Sequence, residues 1–152
     1  MSHPVLISGG SGGIGSALCL RFSAAGYTPY VGYARNREAA EQTARRCAGV
    51  ALALDLTDDS AIDAALAKIV DAAPDLAGVV LAASPPPRLA PLAQISSGEM
   101  ESAWRVGVSG PQRLLAGLVR DVFRKTRRGT IVGVLSEAMG NGRGVAMKGM
   151  GA

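Results

Sequence analysis

The sequence predicts an α/β fold, a doubly wound parallel sheet with helices on both faces, from three observations. Short apolar runs alternate with helical stretches along the chain, a glycine-dense turn joins the first strand to the first helix, and the strands lack the polar alternation of a sheet with one wet face. The 152 residues, 48% of them hydrophobic, suffice for one domain with a proper core and are too few for two of ordinary size. One domain over residues 1–152 is therefore expected, with strand order 3-2-1-4-5. Only 4% of the residues are aromatic, which suits close packing of helix on sheet.

The first strand is Val5-Leu6-Ile7, and Ser8-Gly9-Gly10-Ser11-Gly12-Gly13-Ile14-Gly15 follows it directly. The turn reads either as GxGxxG on Gly10, Gly12 and Gly15 or as GxxxGxG on Gly9, Gly13 and Gly15. Glycine lets the chain bend tightly, brings backbone N–H groups close to an anion, and leaves the positive end of the next helix open. The ligand expected on this Rossmann-type unit is a dinucleotide pyrophosphate. The helix from Ile14 to Ala25 has Ile14, Leu18 and Phe22 on one face and stops at Gly26.

A second strand spans Thr28 to Tyr33, and a charged helix runs from about Arg37 to Cys47. The third strand lies around Val50 to Leu54. Asp58, Asp59 or Ser60 can cap the next helix, whose apolar face is Ile62, Leu66, Ile69 and Val70 and which ends by Pro74. Gly78 to Ala83 reads as a fully buried strand. Ser84 to Pro91 is loop, because each of its prolines removes a donor and fixes a backbone angle. Ser96 and Glu99 form a capping box for a long helix toward Arg127, with Gly107 to Pro111 as the place where it could break. Gly129 to Leu135 is the last strand, and the glycine-rich tail, residues 137–152, is expected to be flexible.

Composition excludes several classes of function. The start, Met1-Ser2-His3-Pro4, has no basic region before an apolar core, and no segment is long and apolar enough to cross a bilayer, so a cytoplasmic protein without a membrane partner is expected. Cys19 and Cys47 have no ligand-like spacing and there is one histidine, which points to buried or incidental reduced thiols rather than a disulfide or a metal site. The formal charge of +4 raises the question of nucleic acid. Its densest cluster, Arg120, Arg124, Lys125, Arg127 and Arg128, closes a predicted helix, where cations complement the dipole, and no aromatic residues interleave for base stacking. No nucleic-acid partner is expected.

The glycine turn resembles that of the short-chain dehydrogenase/reductase family, Thr-Gly-x-x-x-Gly-Ile-Gly, with Ser8 supplying the hydroxyl. Members move a hydride between NAD(H) or NADP(H) and a carbonyl or alcohol, and the resemblance covers essentially the whole chain. It implies that Ser8, Gly9, Ser11, Gly12, Gly13, Ile14 and Gly15 bind the cofactor. Asp55-Leu56-Thr57 is similar to the family's Asp-Val-Thr, which implies that Asp55 receives the adenine amino group with Leu56 beside it. Leu81-Ala82-Ala83-Ser84 aligns with Asn-Asn-Ala-Gly, so that Ala82 and Ala83 line the cofactor through their backbone while the side-chain amides are gone. NAD enzymes carry a carboxylate at the end of the second strand; here Arg35 offers a guanidinium to a 2′-phosphate, with Asn36 or Arg37 helping, and NADP(H) is favoured over NAD(H). The plainer alternative is that these are solvated charges at a helix start, Arg37 pairing with Glu38.

The later landmarks depart from the family. Ser136 matches the serine that hydrogen-bonds the substrate carbonyl, and Met139-Gly140-Asn141-Gly142 is similar to a loop of ketoacyl reductases, so an acyl-thioester-like carbonyl is one form of the implied small-molecule substrate. The family's helix asparagine maps to Gly107. Its Tyr-x-x-x-Lys pair is absent: no tyrosine follows Tyr33, and Lys148 has Gly144 four residues before it. Such proton-transfer groups contribute on the order of 10²- to 10⁴-fold each, so the chain as written should be nearly inactive even with NADP(H) bound. Truncation before that pair explains its absence, and the fold is then expected to lack the C-terminal strands of the full family fold. Two readings follow: the cofactor-binding portion of an NADP(H)-dependent reductase, or a non-catalytic NADP(H)-binding sensor or scaffold. Family members commonly form dimers or tetramers through their long central helices, here around Ser102 to Val122, and a homo-oligomer is expected.

Overall fold

A computed structural model of the chain describes residues 3–85 and 90–135. In it β1 (His3–Ser8), β2 (Tyr27–Tyr33), β3 (Val50–Ala53), β4 (Gly78–Leu81) and β5 (Thr130–Gly133) form a parallel sheet in the order β3-β2-β1-β4-β5. The register pairs Ile7 of β1 with Val31 of β2 and with Val80 of β4. Helices α1 (Gly13–Ala24), α2 (Arg37–Arg46) and α3 (Asp59–Ala72) make the first three crossovers. The order expected from alternation is the order found.

Period-two alternation divides the core between the two faces of the sheet. On one face Val5, Ile7, Val31 and Val80 pack with Cys19 of α1 and Ala40 and Ala44 of α2. On the other Leu6, Tyr30, Leu52 and Val79 pack with Ile62, Leu66 and Ile69 of α3 and with Leu114, Leu118 and Val122 of the long helix. Leu6, Ile7, Ile62, Leu114 and Leu118 are fully enclosed, each burial stabilising the fold by roughly 1.5–3 kcal/mol. The central strands β1, β2 and β4 are apolar on both faces because both of their faces are covered.

Two expectations are corrected. Of the expected apolar face Ile14, Leu18 and Phe22, the last two pack against the core, but Ile14 is 62% exposed, and Gly15 and Cys19 are the buried positions of α1. The break expected at Gly107 to Pro111 is not a break. Helix α4 (Ser97–Trp104) runs through a π turn (Arg105–Ser109) into α5 (Gly110–Leu118), a second π turn (Val119–Phe123) and α6 (Arg124–Thr126). Pro111 cannot donate to a carbonyl in the preceding turn, and the wider turn, in which the Gly110 N–H reaches the Arg105 carbonyl, absorbs the mismatch without ending the helix.

Candidate functional site

The carboxyl ends of β1 and β4 lie side by side, and the sheet reverses its winding there, because β1 leads to β2 on one side while β3 crosses to β4 on the other. Crevices at such points are where open α/β sheets bind ligands. Ser8, 1% exposed, ties the two strand ends together: its hydroxyl oxygen accepts from the Ala82 N–H at 3.1 Å and from the Ala83 N–H at 3.2 Å. Those amides are therefore engaged by Ser8. Gly9, at φ +68, turns the chain just beyond. A Cβ on Gly9 would lie 2.7 Å from the Ala83 Cα, so only glycine permits this approach.

The turn closes on itself through a bond from the Gly12 N–H to the Gly9 carbonyl at 3.0 Å. Gly15 faces inward, where a Cβ would sit 2.8 Å from the Gly10 Cα. Gly12 and Gly13 face outward: around a Cβ on Gly13 nothing lies within 4 Å. The glycines thus divide by role. Gly9 and Gly15 let the backbone pack on itself, Gly12 is exposed but turned so that a Cβ would lie 3.3 Å from the Gly9 carbonyl oxygen, and Gly13 leaves open space over the start of α1.

That start has donors without acceptors. Helix α1 has no side-chain cap and no acidic residue in its first turn. By contrast Asn36 caps α2, Asp58 caps α3, and Ser96 and Glu99 form the expected capping box on α4. The Ser16 hydroxyl donates to the Gly13 carbonyl and so does not cap the amides. The first N–H groups of α1, with the positive end of its dipole, face an exposed, glycine-walled space suited to a phosphate. Ser11 in the turn is half-exposed, and Ile14 at the start of α1 is exposed.

At the end of β2, Asn36 uses its side-chain oxygen to accept from the Ala39 N–H at 3.0 Å, which makes it a helix cap first. Arg37 pairs with Glu41 at 2.7 Å, not with Glu38. Arg35 is exposed, and no hydrogen bond or ion pair engages it among the described residues. Beyond β3, Asp55 Oδ1 accepts from the Thr57 N–H at 2.9 Å and from the Thr57 hydroxyl at 2.7 Å. Among the described residues no bond engages its other carboxylate oxygen, and Leu56 beside it is buried in the core. Ser136 lies outside the described residues. Among the described residues no cluster of histidine, cysteine or carboxylate side chains could hold a metal ion.

Gly32 was not singled out from the sequence. Its carbonyl accepts from the Gly10 N–H at 2.8 Å, and a Cβ there would lie 2.9 Å from the Ile7 carbonyl oxygen. A lone glycine inside Tyr30-Val31-Gly32-Tyr33 was the available signal, since glycine within a strand marks close backbone approach.

The short chain dehydrogenase family model matches residues 3–147. No curated protein matches the chain significantly. Among solved structures, one of a ribose-5-phosphate isomerase from Brucella melitensis 16M shares 26% identity at a TM-score of 0.82, over 90% of this chain and 52% of that one. A short-chain dehydrogenase from Streptomyces avermitilis shares 25% identity at a TM-score of 0.80, over 89% of this chain and 49% of that one. A 3-ketoacyl-(acyl-carrier-protein) reductase from Brucella melitensis, complexed with NADH, shares 22% identity at a TM-score of 0.85, over 93% of this chain and 59% of that one. The chain thus spans about half the length of the structures it matches. Their stated activities differ while the fold is shared, so activity has to be argued from the site.

Proposed function

The chain belongs to the short-chain dehydrogenase family, and from that premise we propose that it binds NADP(H) and forms the cofactor-binding part of an oxidoreductase acting on a carbonyl or alcohol. The observation that carries this reading is the start of α1, whose amides lack the side-chain cap that α2, α3 and α4 each have. The amides of Gly13 and Ile14 would hold the pyrophosphate, with Gly12, whose own N–H closes the turn on Gly9, leaving room for its approach. Asp55, through its other carboxylate oxygen, would accept from the adenine amino group, and Ala82 and Ala83 would line the inner half of the nucleotide. A nicotinamide bound there supplies or receives the hydride.

Arg35 is the residue that supports NADP(H) over NAD(H). A free guanidinium at the end of β2 favours a 2′-phosphate, and no carboxylate side chain stands at Tyr33-Ala34-Arg35-Asn36 to repel one. The similar reductase from Brucella melitensis is complexed with NADH, so the phosphate preference rests on Arg35 alone. Ser136 would hydrogen-bond the substrate carbonyl, as its counterpart in the family does. Proton transfer to that carbonyl needs a further group, since residues 1–152 contain no tyrosine after Tyr33 and Gly107 has no side chain to relay a proton. The absent amide at Gly107 favours the second reading, a non-catalytic sensor or scaffold that binds NADP(H).

Titration of the chain with NADPH and with NADH, followed by nucleotide fluorescence, tests the proposal. Wild type should prefer NADPH, and Arg35→Ala should weaken NADPH about 10- to 100-fold while leaving NADH within about twofold, the loss expected for one charge-assisted contact. Equal affinity for both nucleotides in wild type and variant would remove Arg35 from the site.

A further inference from the structure

Sequence patterns single out Asp55 on its loop but say nothing of what holds that loop in place. The long helix does so from the far side, at two points. Arg105 Nη1 donates to the Thr57 carbonyl at 3.4 Å, while its Nε donates to Glu101 at 3.0 Å and Asp59 lies 3.9 Å from Nη1. Gly110 lies against Leu56 so closely that a Cβ would come within 2.9 Å of the Leu56 carbonyl carbon. Loop residues 55, 56 and 57 are thereby fixed in sequence: Asp55 by its bonds from Thr57, Leu56 by the backbone of Gly110, and Thr57 by the Arg105 guanidinium.

The π turn is what lets one helix make both contacts. In an α-helix two residues five apart lie about 140° apart around the axis, so Arg105 and Gly110 would face different neighbours. The bond from the Gly110 N–H to the Arg105 carbonyl stacks the two residues on one side, the side of the loop. Pro111, which has no N–H, holds the helix in this wider turn.

We propose that Arg105 and Gly110 are positioning residues for adenine recognition, holding the Asp55–Thr57 loop so that the other Asp55 oxygen accepts from the adenine amino group. The proposal rests on reading Asp55 as that acceptor. Neither residue touches nucleotide, and each acts through the loop. The side chain of Arg105 is 43% exposed and its partners Asp59 and Glu101 are more so, hence Arg105→Met should fold as wild type does. Gly110→Ala drives a methyl group into Leu56 and tests the same point from the second contact.

The experiment compares NADPH with deamino-NADPH, in which an oxo group replaces the adenine amino group, on wild type, Arg105→Met, Arg105→Lys and Gly110→Ala. Wild type should bind NADPH about 10-fold more tightly than the deamino form. Arg105→Met and Gly110→Ala should cut that ratio about threefold or more, mainly by weakening NADPH, and Arg105→Lys, which keeps a donor, should restore it in part. An unchanged ratio in Arg105→Met and Gly110→Ala, against a clear preference in wild type, overturns the clamp and leaves the Asp55 reading standing. A wild type that binds both nucleotides equally, or neither, overturns the Asp55 reading and the clamp with it.

Discussion

Glycines that look alike in the sequence carry opposite demands in the structure. Gly15→Ala places a Cβ against the Gly9 and Gly10 backbone, and a loss of roughly 2–4 kcal/mol of stability is expected by chemical denaturation. Gly13→Asp meets open space and puts a carboxylate on the positive end of α1, so the melting temperature should hold or rise while NADPH binding is lost. A Gly13→Asp variant that still bound NADPH would place the pyrophosphate elsewhere. The cysteines illustrate what a sequence can settle at this scale. They were expected as buried or incidental thiols, and both are buried; burial pushes the Cys19 thiol up to about 12, with Cys47 nearby adding to the shift, and raises Cys47 as well. Neither should react with a disulfide reagent at pH 8 until denaturant is added, because thiolate is the reactive form. Arg37 was harder to place: its partner Glu41 is four residues on, one helical turn away, rather than adjacent Glu38.

Helix starts were legible at the Ser96–Glu99 capping box and among Asp58, Asp59 and Ser60, of which Asp58 is the cap, whereas the capping role of Asn36 emerges from the structure. The π turn at Arg105–Ser109 was not legible, since a proline after a run of small residues reads as a break and only packing against Leu56 decides that the helix continues. Acid stability belongs to this scale. The Ser60 hydroxyl and the amides at the start of α3 hold the Asp58 carboxyl below its ordinary 3.8, and the Arg113 guanidinium, donating from Nε and Nη2, does the same for Asp63. A lowered folded pKa adds stability that is complete above the unfolded value and is lost as pH falls through the folded one. The melting temperature should therefore be flat between about pH 5 and 7 and decline below about pH 4. Asp58→Asn, which keeps a capping oxygen but no titrating group, should match wild type at pH 7 and decline less steeply in acid. A decline as steep as that of wild type would show that the α3 cap is not among the groups that titrate.

For the molecule as a whole, alternation of strand and helix gave the sheet order, because parallel crossovers of one hand leave few arrangements open. What pattern could not give is how the two halves of the sheet meet. Ser8 bridging to Ala82 and Ala83 spans more than seventy positions of chain, as does the approach of Gly9 to Ala83, and neither has a local signature beyond the residue types themselves. At the other end of the sheet β5 is exposed along its length, with Ile131 at 48% and Val132 at 42%. The central claim is that the open start of α1 receives the phosphates of a dinucleotide. At 15.4 kDa the protein suits amide-resolved NMR, and an NADPH titration of ¹⁵N-labelled chain tests the claim most directly. The amides of Gly12, Gly13, Ile14 and Gly15 should shift most, with Arg35 and Asp55 moving at the same nucleotide concentrations. Saturable shifts confined to the basic cluster at Arg120–Arg128, with the glycine turn unmoved, would contradict it.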